Sequence, residues 1–160
     1  MQEKLRQLFE IIAPSYEPDF MLAVLPKEFP HLDSHQLQIR TEEFLKFIYL
    51  RSLWVGDNEG FVPVKKAIDE IWHAFIVQTR EYDKFCQALP GKTFLHHTTV
   101  HLEDFSKNQN KVLLVKEMLS WIPRYKEHFG PFSHETAAFW MMPGFLQETL
   151  NLSLDEINQL

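Results

Sequence analysis

The sequence predicts an all-α fold: a single compact multi-helix domain over residues 1–160, with an irregular His-rich loop between its middle helices. Three observations carry that expectation. Apolar residues recur at helical spacing along most of the chain, the mark of helices that turn one face to a core. There are only 5 glycines, a poor supply for the tight turns and bulges of an all-β fold or for phosphate-cradling loops. With 160 residues, 45% hydrophobic and 24% charged, the chain has the size and composition of one globular domain and is too apolar to stay disordered.

The elements follow in order. Glu3 to Ile12 places Leu5, Leu8, Phe9 and Ile12 at i, i+3, i+4 and i+7, and Pro14 stops that helix. Pro18 suits the first turn of a short second helix through Leu25, with Ser15 upstream as its cap, before Pro26 and Pro30 enforce a non-helical link. Asp33 or Ser34 caps a third helix running to about Trp54, whose apolar set Leu37, Phe44, Leu45, Phe47, Ile48 and Tyr49 widens towards its C-terminal half. The Gly56 to Gly60 loop ends it.

Pro63 opens a fourth helix to about Gln78, with Ala67, Ile68, Ile71, Trp72, Phe75 and Ile76 in helical period. Tyr82, Phe85 and Leu89 continue a shorter helical segment that Pro90 and Gly91 terminate. Lys92 to Asp104 is rich in β-branched and aromatic residues, which admits a short strand pair; the segment is read here as irregular. Lys111 to His128 restores a helix, with Val112, Val115, Met118, Leu119, Ile122, Tyr125 and Phe129 on one face, Pro123 marking a kink and Gly130 a C-cap. A short packed helix is expected from Ser133 onward within 131–144. Ser153 and Glu156 have capping-box spacing and start a last helix, Leu154 to Leu160.

Net charge is −6, from 16 Lys and Arg against 22 Asp and Glu, and the basic residues are scattered. That disfavours nucleic acid, whose phosphates require a concentrated basic surface, and an anionic membrane equally. The longest apolar run, Phe20 to Leu25, is too short to span a bilayer. A single cysteine, Cys86, permits no intrachain disulfide and fits a reducing compartment. The N-terminus mixes charges at once and has no signal-peptide core. A cytoplasmic location follows, although an exported effector without a cleavable signal reads the same way.

The chemistry concentrates in the middle of the chain. Asp69 and His73 stand four apart on the fourth helix, so both project from one face and can share an ion. Cys86 falls on the adjoining helix, and the turn at Pro90 and Gly91 folds His96 and His97 back towards the pair, with His101 shortly after. A carboxylate, one or two imidazoles and a thiolate form a borderline-soft set that suits Zn²⁺ best, with Fe²⁺ or Cu as alternatives. The plainer reading is a local Asp–His pair beside a cysteine acting as a small buried hydrophobe. Neither His-Glu-x-x-His nor Cys-x-x-Cys is present.

The stretch from Ala67 to Cys86, followed by Phe94-Leu-His-His97, resembles the core motif of the glycine-rich domain-containing protein-like family, a domain of plants and bacteria. In that family an Asp precedes a Trp-His pair, a Thr or Ser-Pro turn, a Tyr, a Cys and a His after an aliphatic residue. Those positions are here Asp69, Trp72, His73, Thr79, Tyr82, Cys86 and His97. The likeness extends loosely to Tyr125 through Gly130 and to Trp140, and the glycine-rich segment that names the family is lacking. The resemblance implies that these residues form one cluster.

The functional expectation is therefore a buried polar or zinc site of Asp69, His73, Cys86 and His97, supported by Trp72, Tyr82, His96 and His101, in a domain that acts mainly by contacting a protein partner. Phe139, Trp140, Met141 and Met142 are the surface named for that contact, because aromatic residues and Met are enriched at interfaces. The alternative is a small metal-dependent enzyme of hydrolase or lyase type, using the same cluster and an apolar aromatic pocket. Four protein donors would close the shell, whereas three would leave a position for water. Ligation needs a Cys86 thiolate and neutral imidazoles, so occupancy falls on acidification. Cysteine catalysis is disfavoured because Phe85, Leu89 and Tyr82 surround Cys86 in sequence and imply a raised thiol pKa.

Overall fold

The structure is a computed structural model and describes residues 2–53, 64–97 and 111–160. Its axis is the helix Ser34–Ser52, buried on most sides in its C-terminal half through Phe44, Leu45, Phe47, Ile48 and Leu50. A helix that is apolar nearly all round belongs in the middle of a bundle. In chain order the described helices are α1 (Gln2–Ile12), α2 (Asp19–Glu28), α3 (Ser34–Ser52), α4 (Lys66–Ile76), α5 (Thr79–Ala88), α6 (Lys111–Phe129), α7 (His134–Ala137), α8 (Met141–Leu150) and α9 (Leu154–Ile157). Helix α3 packs against α1, α4 and α6; α4 also meets α2 and α5, and α8 meets α6 and α9. No strand occurs among the described residues. The one β-type feature is an isolated antiparallel bridge between Val64 and Trp140, beside which the Lys65 N–H donates to the Phe139 carbonyl at 3.0 Å.

The amphipathic stripes behave as their spacing predicts. Leu5, Phe9 and Ile12 of α1 are buried, as are Ile68, Ile71, Trp72 and Phe75 of α4. The aromatic surplus becomes packing. Phe9, Phe75 and Phe85 form one cluster with centroids 5.6–6.5 Å apart, joined by Phe44 at 4.7 Å from Phe75 and by Tyr16 at 5.3 Å from Phe85. Each such side chain removed from water contributes roughly 1.5–3 kcal/mol.

Capping boxes close the N-termini of α3 (Asp33 with Gln36), α7 (Ser133 with Thr136) and α9 (Ser153 with Glu156). Gly130 follows α6 with φ +81°, the left-handed conformation of a C-cap. Four expectations change. Pro26 does not stop α2: it sits in the last turn, giving up one backbone donor while the Phe29 N–H still closes on the Leu25 carbonyl at 3.0 Å. Pro18, not Ser15, occupies the N-cap of α2, with no side-chain hydrogen bond. The one short helix expected from Ser133 within 131–144 is two, α7 and then α8, which starts at Met141 and runs through Pro143 and Gly144 to Leu150. Pro143 falls in the first turn, where no intrahelical partner for its nitrogen is needed. Lastly, Trp140 and Met142 are 3% and 4% exposed and so cannot form the expected interaction surface; Phe139 is half-buried, and of the four only Met141 is exposed. The expected end of the third helix at Trp54, the 56–60 loop, Pro63 and residues 98–104 with His101 lie outside the described residues.

Trp140 is drawn inward by Glu43, a fully buried carboxylate on α3. Glu43 accepts from Lys46 Nζ at 2.6 Å, from Tyr125 Oη at 3.0 Å and from Trp140 Nε1 at 2.8 Å. Burial pushes its pKa above 4.5, opposed by the Lys46 ammonium and by the hydrogen bonds from Lys46, Trp140 and Tyr125. Tyr125 stacks on Phe132 at 4.0 Å, so this one polar point joins α3, α6 and the approach to α8.

The turn after α5 decides where the histidine segment goes. A side chain at Gly91 would run into the backbone carbonyl oxygen of Ser52, so only glycine allows the chain to pass so close to the end of α3. Lys92 follows at φ +47°, and its N–H returns to the Leu89 carbonyl at 2.9 Å. Residues 94–97 then lie without regular structure against α4 and α5, as the irregular reading predicts.

Candidate metal centre

Helix α4 presents Asp69 and His73 one turn apart. His73 Nδ1 is 2.8 Å from the Asp69 backbone carbonyl and 3.3 Å from Asp69 Oδ2. A carbonyl can only accept, so Nδ1 carries the proton of the neutral ring and the lone pair sits on Nε2. From the other side the 94–97 segment brings in His97, whose Nε2 lies 2.7 Å from Asp69 Oδ1. The two imidazole centroids are 4.5 Å apart, and the His97 ring meets Trp72 edge-on at 4.6 Å. One donor atom from each of Asp69, His73 and His97 lies within 4.8 Å of the others. The site faces water: the side chains are 40%, 55% and 17% exposed respectively.

Two residues before His97, the segment is tied to the core by a hydrogen-bond relay that ends at Leu95. Trp72 Nε1 donates to Tyr82 Oη at 2.9 Å, and Tyr82 Oη donates to the Leu95 carbonyl at 2.6 Å. Tyr82 is fully buried, with Phe94 edge-on to it at 5.2 Å. Burial raises the Tyr82 pKa far above its ordinary value, so its hydroxyl keeps the proton it donates. Arg51 adds a clamp that nothing in the spacing signals: its guanidinium stacks over Trp72 at 5.3 Å and donates to the His96 carbonyl at 3.3 Å. Sequence patterning could not find it, because the contact depends on how the end of α3 passes the histidine segment.

The four expected donors are therefore divided. Asp69, His73 and His97 converge, and Cys86 is not a member of the group. It lies on the core side of α5 with Tyr82 and Phe85, entirely buried. Burial pushes its thiol pKa up, partly offset by the Leu95 backbone N–H and the Tyr82 hydroxyl. A protonated thiol among rings is a packing group, as a cysteine surrounded by Phe85, Leu89 and Tyr82 implies. His96 is exposed, packs beside Phe94 at 4.9 Å and is likewise outside the group.

Residues 7–127 match the UCP032817-like family, about three quarters of the chain. The chain belongs to that family. The matched part of this UCP032817-like protein runs from within α1 through most of α6, and so takes in Asp69, His73 and His97 together with Trp72, Tyr82 and Arg51. No curated protein and no solved structure matches the chain. Among the described residues of the UCP032817-like chain, no helix is long and apolar enough to cross a membrane.

Chemically, two imidazoles and a carboxylate around an exposed point form a set for a divalent transition ion, with room left for water. Losing the thiolate makes the set harder than the sequence implies, which keeps Zn²⁺ suitable and improves the fit to Fe²⁺. His97 shares its Nε2 proton with Asp69, so an ion that engages that nitrogen must displace the proton.

Proposed function

We propose that this protein is a metal-binding helical domain that takes one divalent transition ion, Zn²⁺ in the first instance, at Asp69, His73 and His97. The observation that carries this reading is the convergence of the three donors with the tautomer of His73 set: its Nδ1 is engaged by the Asp69 carbonyl, which leaves the Nε2 lone pair for an ion. Metal-binding histidines almost always have their second nitrogen held in this manner. The resemblance of residues 67–97 to the core motif of the glycine-rich domain-containing protein-like family agrees with it, since the positions of that resemblance include all three donors together with Trp72 and Tyr82.

Three protein donors at a solvent-facing point favour a second step in the same reading. The open position takes a water, whose pKa a bound Zn²⁺ brings to about 7, the condition for hydrolase or lyase chemistry. A partner-docking role loses its named surface with the burial of Trp140 and Met142; what remains for such a role is the metal site itself as the point of contact.

Calorimetric titration of untagged, metal-free protein with Zn²⁺ tests the proposal. One equivalent should bind, with heats in buffers of differing ionisation enthalpy showing proton release. His97→Ala and Asp69→Ala should each weaken binding by about 100-fold while the thermal transition of the metal-free protein stays close to wild type. Equal affinity in wild type and both variants would remove the site from these residues.

A further inference from the structure

We infer that Tyr82 is the positioning residue of the metal centre: its hydroxyl, oriented by Trp72, holds the Leu95 carbonyl and thereby sets the place of His97 opposite α4. The inference rests on the metal reading and says how that site is regulated by the core beneath it.

Asp69 and His73 need no such help, because they are fixed one turn apart on a helix. His97 has no regular secondary structure to carry it, so its position relative to Asp69 depends on what fastens residues 94–97. Tyr82 provides the shortest of the hydrogen bonds to that segment, 2.6 Å to the Leu95 carbonyl, two residues before His97. A hydroxyl can rotate, but here its lone pairs receive the Trp72 indole N–H at 2.9 Å, which leaves the proton directed at Leu95. Trp72 itself touches His97 on the same ring that makes this donation. The relay therefore runs through α4, α5 and the histidine segment, the three pieces that the site requires. Arg51 at the His96 carbonyl is longer, at 3.3 Å, and fastens the segment from its exposed side.

Removing the hydroxyl leaves the ring and its packing, so Tyr82→Phe isolates the relay from the core. In the folded variant the 94–97 segment loses its short anchor, and ions that need His97 pay for its reordering. Titration with Co²⁺ alone, followed by its visible absorption, is the readout, with Leu146→Ala on α8 as a destabilised control that leaves the relay untouched.

Tyr82→Phe should bind Co²⁺ about tenfold more weakly, in the range of losses seen when groups that orient ligands are removed. Leu146→Ala should lower the melting temperature but keep wild-type Co²⁺ affinity. Were Tyr82→Phe unable to fold, Trp72→Phe, which removes the donor to Tyr82 and keeps a ring, takes its place under the same expectation. Wild-type protein that binds no Co²⁺ overturns the metal reading and this inference with it. Co²⁺ binding by wild type with unchanged affinity in the hydroxyl-deleted protein, or an equal loss in Leu146→Ala, overturns the role of Tyr82 alone.

Discussion

Glu43 and Glu42 are adjacent in sequence on α3, yet only Glu43 is fully buried, where it meets Lys46, Tyr125 and Trp140. A buried carboxylate of this kind costs several kcal/mol to desolvate and is tolerated because both of its oxygens accept hydrogen bonds. Glu43→Ala should therefore destabilise the protein by about 3–5 kcal/mol in urea unfolding, because the Lys46 ammonium and the Trp140 indole N–H lose their acceptor. The pH dependence has a definite sign. Burial holds the folded-state pKa above 4.5, so the folded protein binds the proton more tightly than the unfolded chain does. This contribution to stability is complete below pH 4.5 and is lost as pH rises through the folded-state pKa. Glu43→Gln removes that titration, so its stability relative to wild type should climb with pH across the window; a flat difference would show that the carboxyl is not perturbed. None of this was legible in the sequence, where a pair of glutamates reads as a solvated face. The inward turn of Glu43 depends on Tyr125 and Trp140, 82 and 97 residues away. Asp69, His73 and His97 were legible because two of them obey helix spacing and a Pro-Gly turn precedes the third. Of the two readings open for Cys86, the small buried hydrophobe is the one its place on α5 fits, because that face of α5 is the core face.

At the scale of elements, local chemistry was readable wherever it was self-contained. The boxes at Asp33 and Ser153 need only residues three apart and appear as their sequences require. Pro26 does not end α2, because whether a proline stops a helix depends on which turn it occupies. Gly91 is the element-scale position with the largest consequence. Its closeness to the Ser52 carbonyl lets the chain leave α5 and return towards α4. Gly91→Ala forces a methyl group against the Ser52 carbonyl and should cost about 1–3 kcal/mol of stability. It should also weaken divalent ion binding, since the turn delivers the 94–97 segment. A variant with wild-type stability in chemical denaturation would show that the two backbones separate without penalty.

Across the whole molecule, an acidic chain with a surplus of aromatic rings resolves into an all-α bundle in which those rings are mostly interior. Helix α3 supports two polar features of opposite kind. On one side Glu43 is closed, satisfied and remote from water. At the other end Arg51 and the Ser52 carbonyl bound a segment that carries His97 to an exposed carboxylate and a second imidazole. The fold class was legible because helical periodicity is a property of short windows. The site was legible only in part, because its completeness depends on a turn, a buried tyrosine and an arginine that no window contains together. The measurement that bears most directly on the account is anomalous diffraction at the zinc edge from crystals of untagged protein equilibrated with one equivalent of Zn²⁺. A single strong peak bounded by Asp69, His73 and His97, about 2.0–2.1 Å from both imidazole nitrogens, is expected. A peak held by other side chains, or none at these three, would contradict it.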